Sequence, residues 1–174
     1  MRRIELLAPA GSMESLYAAV QAGTDAVYMG GSKFSARAYA NNFDDEQLKD
    51  AINYCHLYGV KVYITVNTLI KQEEIKEAIK YIGFLYSIGV DALIIQDTGI
   101  AKLIKQNLPD FEIHASTQMT VHNGEGAIFL KELGFITRTF IKRNRIYFKG
   151  FRCRNGDICT RSSLYLLFRA MFDE

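Results

Sequence analysis

At 174 residues, 49 % hydrophobic and 23 % charged, the chain has the length and balance of one soluble globular domain with a sizeable core. No apolar run approaches a membrane span, and the opening residues are too few for a signal peptide to be expected. The net charge of +2 conceals a reversal: Arg2 to Thr137 carries −4, whereas Arg138 to Glu174 carries +6.

The first strand is expected almost at once, in Glu5-Leu6-Leu7-Ala8-Pro9, and Ser12 can cap a helix running to about Ala22. A unit then recurs, in which a helix ends on an apolar residue plus Gly and a short apolar strand comes next. It runs through Ala22-Gly23 into Asp25 to Gly30, and through Tyr58-Gly59 into Val60 to Val66. It returns at Ile88-Gly89 into Val90 to Ile95, and begins again at Leu133-Gly134-Phe135. Gly sits where a helix C-terminus needs left-handed geometry. Asp44 or Asp45 can cap the second helix, with Leu48, Ile52 and Cys55 on one face. Ile75, Ile79, Ile82 and Leu85 form the stripe of the third. A fourth spans roughly Gly99 to Asn107, a fifth strand Phe111 to Ala115, and a fifth helix roughly Glu125 to Leu133. The strands look apolar on both faces, as in a parallel sheet covered by helices.

Five such units without a Gly-rich phosphate fingerprint fit the first part of a (β/α)8 TIM-type barrel, an α/β fold that needs eight. The expected organisation is an incomplete barrel over residues 1–137, then a tail over 138–174. In a barrel the chemistry gathers where strands end. Polar groups recur at those ends: Asn67, Gln96, Asp97, His114, Ser116, Thr117 and Gln118. Asn67, Gln96, Asp97, His114, Ser116 and Gln118 are the candidate substrate-positioning set. Helix capping and loop satisfaction are the structural alternative for each, and no catalytic residue is singled out. His114, at a strand end, can carry a proton or sit hydrogen-bonded in the core; His122 and His56 are weaker candidates. Cys55 reads as a core thiol, and Cys153 and Cys159 lack the second pair a zinc site needs. Three cysteines without framework spacing fit a reducing, cytoplasmic setting.

The segments Glu5-Leu6-Leu7-Ala8-Pro9-Ala10-Gly11-Ser12, Asp25 to Gly31 with Phe34-Ser35-Ala36-Arg37, Tyr63 to Thr68, and His114-Ala115-Ser116-Thr117-Gln118 together resemble the collagenase-like peptidase family, numbered thirty-two among peptidases of unknown catalytic type. The resemblance covers roughly residues 3 to 136. It implies a barrel core. Despite the peptidase name, it also implies relatives that hydroxylate a pyrimidine of tRNA or rRNA, with prephenate implicated in some, or that serve ubiquinone hydroxylation. Downstream cysteines of the family are associated with an iron–sulfur cluster, which this chain would lack.

After Thr137 the resemblance stops in this frame. The family should continue with a signature close to E-x-F-x-H-G-A-L-C-x-C-Y-S-G-Q-C. Codons can be chosen for Asn155 to Glu174 that, read one base later, give MEIFVHGALCICYSGQCLM. The tail is therefore expected to be out of frame, and the chain a truncated, inactive member. Two alternatives stand beside this. One is an RNA-binding module, in which Arg138, Lys142, Arg143, Arg145, Lys149, Arg152 and Arg154 interleave with Phe140, Tyr147, Phe148 and Phe151. The other is a metal-dependent protease acting on collagen-like peptides. An unrelated barrel enzyme for a small phosphorylated or carboxylated substrate has only the polar rim in its favour. The expected partners are RNA or a small molecule, with neither membrane nor DNA.

Overall fold

A computed structural model describes residues 5–36 and 42–136; Arg37 and the segment from Thr137 onward, with Cys153, Cys159 and the basic aromatic positions, lie outside the described residues. Five strands alternate with five helices: β1 Leu7–Pro9, α1 Met13–Gln21, β2 Ala26–Gly30, α2 Asp45–Leu57, β3 Lys61–Val66, α3 Ile75–Ser87, β4 Ala92–Ile95, α4 Thr98–Asn107, β5 Glu112–Ala115 and α5 Gly124–Glu132. The strands are all parallel and lie in the order β1-β2-β3-β4-β5. A doubly wound sheet reverses its order at a switch point; an unreversed order is what a barrel requires. The fold is that of consecutive (β/α)8 barrel units in an open sheet.

The joints between units are built alike. Gly23, Gly59, Gly89 and Gly134 all take positive φ, between 70° and 88°. At each, the next residue donates its N–H back to the helix: Thr24 to Ala19, Val60 to Cys55, Val90 to Leu85 and Phe135 to Leu130. This pairing is the Schellman closure that a left-handed residue permits. One residue further on, the N–H of Asp25, Lys61, Asp91 and Ile136 donates to a carbonyl of the preceding unit, on Leu6, Asp25, Val62 and Ile113. The turn that stops each helix thus also sets the register of the chain beyond it.

Helix starts follow the capping chemistry. Ser12 and Asp44 each accept from the third helical N–H within a capping box, and Asp97 accepts from Ile100 N at 3.0 Å. The buried stripe of α3 is Ala78, Tyr81, Ile82 and Leu85, with Ile75 and Ile79 only partly covered. The sequence stripe is displaced there because Tyr81 fills the space over Gly31, where a Cβ would overlap its hydroxyl.

Both faces of the sheet carry apolar side chains, with a few polar ones on the inner face. On the helix side, Val27, Met29, Val62, Ile64, Val66, Leu93, Ile95 and Ile113 pack against Leu16, Leu48, Ile52, Ile82, Leu85 and Ile104. The opposite, inner side is a smaller cluster of Leu7, Ala26, Tyr63, Ala92 and Ile94 with Tyr28 against it. Glu112, His114 and Thr65 share that side by strand alternation. Tyr63 and Thr65 are buried all the same, because their hydroxyls find oxygen partners.

Cys55 is a core thiol, and burial, reinforced by the Asp91 charge, pushes its pKa up to about 11. Burial likewise pushes Tyr81 up to about 12. Its hydroxyl has no well-formed hydrogen bond among the described residues, although Ser32 and the Lys33 backbone face it and temper the shift. An unfolded chain ionises these groups earlier, from about pH 9 and 10, so it is stabilised first as pH rises. Stability is expected to fall between about pH 9 and 11 by about 2 to 3 kcal/mol from the thiol alone. Urea titrations across that range check it. Cys55→Ala should flatten the decline, and an unchanged slope would contradict the assignment.

Candidate functional site

The strand C-termini form a mouth, and the register fixes who meets there. Val66 pairs with Ile95 and Ile95 with Ala115, so the residues one step on, Asn67, Gln96 and Ser116, stand in one row. Beneath them, Gly30, Thr65, Ile94 and His114 form the next inner row. Residues far apart in sequence are brought to one level by parallel pairing.

Over β2 and β3 the mouth is covered by the segment Phe34–Ala36. Ser35 Oγ lies 2.9 Å from Thr65 Oγ1, which donates to Met29 O at 3.2 Å. Ala36 N donates to Asn67 Oδ1 at 3.0 Å, and Thr68 Oγ1 donates to Phe34 O at 3.2 Å. Gly30 permits the approach: a Cβ there would crowd Ser35 Oγ and Asn42 Oδ1. Phe34 takes a left-handed φ of 56° to make the turn. Ser35 and Thr65 are absent from the candidates that strand ends suggest. Their signal is nonetheless in the sequence, since both lie inside the family-like motifs and Thr65 has the strand parity of Asn67.

The predicted residues divide by what engages them. Asn67 is a bridge: besides accepting from Ala36, its Nδ2 donates to Ser116 Oγ at 3.4 Å. Ser116 is 5 % exposed, and its Oγ also accepts from Gln118 N at 3.3 Å. Asp97 belongs to the helix side, where Oδ1 caps α4 and Oδ2 accepts from Ile70 N at 3.3 Å. Gln118 is exposed in the turn after β5. Gln96 is half-buried, and no hydrogen bond engages its amide among the described residues.

His114 faces inward, its ring edge-on to Tyr63 at 4.8 Å between centroids. Its Nε2 lies 3.7 Å from Glu112 Oε2, a loose ion pair when protonated. Tyr63 in turn donates to Glu5 Oε1 at 2.7 Å. His114 therefore addresses the inner layer below the rim rather than Ser116, and Ser116 Oγ has no base beside it among the described residues. His56 pairs with Asp91 at the opposite end of the sheet, and His122 Nδ1 lies 2.7 Å from Thr120 O.

Outside the row, a cleft of about 660 Å³ opens between the β1–α1 and β2–α2 connections, lined by residues including Ser12, Glu14, Asn42 and Gln47. The first amides there are engaged: Gly11 N and Ser12 N donate to Ser15 Oγ, and Ser15 N donates to Ser12 Oγ. With Glu14 beside it, the cleft presents no cation to an anion among the described residues.

Among the described residues, no three His, Cys, Asp or Glu side chains converge as a metal-ligand set, and Cys55 is the sole cysteine. An iron–sulfur cluster needs several thiolates. One buried thiol with a raised pKa does not fit that need. Nor is any helix among the described residues long and apolar enough to cross a membrane.

Comparison with known proteins gives the context. Residues 11–144 match the model of Peptidase family U32. The chain is 41 % identical over 133 residues to the 23S rRNA 5-hydroxycytidine C2501 synthase of Escherichia coli, covering 76 % of this chain and 20 % of the relative. It is 35 % identical over 133 residues to the tRNA hydroxylation protein P1 of Bacillus subtilis, covering 76 % and 32 %. A collagenase of Porphyromonas gingivalis is 40 % identical over 126 residues, covering 72 % and 30 %. The chain thus spans about a fifth to a third of the length of these relatives. The solved structure of a U32 peptidase superposes with a TM-score of 0.64 at 12 % identity, covering 78 % of this chain and 57 % of that one. That superposition speaks to the fold.

Proposed function

The chain belongs to peptidase family U32, and we propose that it forms the amino-terminal barrel segment of a protein that hydroxylates a pyrimidine of tRNA or rRNA. The observation that carries this reading is its similarity, at 35 % identity or better over 133 residues in each case, to proteins named for rRNA and tRNA hydroxylation. The inner row suits that role better than proteolysis. It offers amide and hydroxyl groups, while its serine is engaged by Asn67 and Gln118 and lacks a base among the described residues. The collagenase relative keeps a protease as the second reading. Prephenate, implied by the family resemblance, enters as the linked metabolite in the hydroxylation.

The reading includes a broken frame. The reversal of charge after Thr137, a family match that in this frame runs no further than residue 144, and the family signature that chosen codons permit one base out of register support a truncated and inactive product. The iron–sulfur cluster is then assigned to the part encoded in the other frame.

One experiment tests both parts. In a host that lacks the modification, a frame-restored gene should add a hydroxylated pyrimidine to total RNA, measured by nucleoside mass spectrometry, and the 174-residue chain should not. Unchanged nucleosides with the frame-restored gene would overturn hydroxylation. Rescue by the chain as written, or an uninterrupted gene around codons 136 to 139, would overturn the broken frame.

A further inference from the structure

Building on the hydroxylation reading, we infer that Gln96 is a specificity-determining residue that reads the Watson–Crick edge of a pyrimidine base at the barrel mouth. The row Asn67–Gln96–Ser116 is set by register, and its two outer members already have partners. Asn67 holds Ala36 N and Ser116 Oγ, and Ser116 holds Asn67 and Gln118 N. Gln96 lies between them with both halves of its amide unengaged among the described residues.

The chemistry of the row favours a neutral ligand edge; that the edge is a pyrimidine's comes from the hydroxylation reading. Its three members are neutral, as are Ser35 and Thr65 close by. Asp97, the carboxylate next to Gln96, is turned away to cap α4 and hold Ile70 N. Lys33, the cation beside the covering segment, is exposed and paired with Glu77 at 2.6 Å. Among the described residues the row therefore offers a phosphate or carboxylate no compensating charge, which disfavours a small phosphorylated or carboxylated substrate at this place.

An amide presents a donor and an acceptor side by side in a plane. Uracil offers N3–H as donor beside O4 as acceptor; cytosine offers the N4 amino donor beside the N3 acceptor. One Gln fits either by turning its amide over, because no neighbour among the described residues fixes its sense. Reading that edge leaves C5 of the pyrimidine clear of the contact. The Asn67 bridge holds the covering segment and Ser116 in place, so the row is largely pre-formed.

The test uses the whole 174-residue chain, with free cytidine, uridine, 3-methyluridine and inorganic phosphate as probes in ligand-observed NMR titrations. Cytidine and uridine should bind. Methylation at N3 blocks the edge and should weaken uridine about tenfold, as should Gln96→Met, a side chain of similar length without the amide. Inorganic phosphate should not compete. Gln96→Ala serves as a second variant, and melting curves confirm that both remain folded. Equal affinities for wild type and Gln96→Met, for uridine and 3-methyluridine, or displacement by phosphate would each overturn the assignment. So would absence of nucleoside binding in the folded chain. If the frame-restored gene adds hydroxylated pyrimidines while Gln96→Met binds normally, Gln96 falls and the hydroxylation reading stands. If binding depends on the base edge while the frame-restored gene leaves cellular RNA unchanged, the hydroxylation reading falls and the role of Gln96 stands.

Discussion

Replacing Asp91 by Ala is expected to destabilise the chain by about 2 to 3 kcal/mol and to lower its melting temperature by about 5 to 10 °C. Asp91 stands at the foot of β4, where Oδ2 accepts from Val62 N at 2.7 Å and meets His56 Nε2 at 2.9 Å. Removing the carboxylate leaves the β3 amide without its partner in a half-buried place, and leaves the imidazole without its acceptor. A hydrogen bond to an ionised group is stronger than a neutral one, and an orphaned amide adds its desolvation cost. Asp91→Asn retains an acceptor oxygen and should lose about 1 kcal/mol. Asp25, placed alike two residues after its Gly, accepts from Leu6 N at 2.7 Å, so Asp25→Ala gives an internal comparison. Chemical denaturation measures all three. Asp91→Ala within about 0.5 kcal/mol of wild type would show that the clamp does not hold the units together.

Tyr63→Ala should be more damaging still, about 3 to 5 kcal/mol, with Tyr63→Phe costing only about 1 to 2. Tyr63 is 1 % exposed, centred on the inner face against Ala92 and Ile94, with its ring edge on His114. Alanine opens a cavity the size of a ring and strips Glu5 of a 2.7 Å hydrogen bond; phenylalanine loses the hydroxyl alone. The difference between the two variants isolates the ring. A mild Tyr63→Ala, close to Tyr63→Phe, would mean that the inner face is not a packed layer.

The repeat was legible because it is written in local chemistry. A helix that must stop on a left-handed residue takes Gly, and the four glycines of the recurrent unit all have positive φ. Ser12 and Asp44 announce helix starts for the same reason: the side chain and the amides it accepts from are within three residues. The stripe of α3 was less legible. Tyr81, rather than Ile79, is its buried member because Gly31, far away in sequence, leaves room for the ring.

The candidate site was legible in part. Asn67, Gln96 and Ser116 share a row, as strand ends suggest; Asp97 comes directly after Gln96 yet serves the opposite side. Adjacent residues on a strand point opposite ways, so a set of polar residues at strand ends mixes two surfaces until the register is known. His114 shows the same limit, since only the folded sheet sets it against Tyr63 and Glu112.

By itself, then, the sequence determined the alternation of strands and helices, the stops and caps, and the family. These depend on contacts within a few residues and on motifs in fixed order. The tertiary structure alone decided which polar groups face inward, that Phe34–Ala36 lies over β3, and that Gln96 is left unengaged among the described residues between two occupied neighbours. Those outcomes turn on hydrogen bonds between residues distant in sequence, whose geometry comes from parallel pairing and from no local preference of the chain.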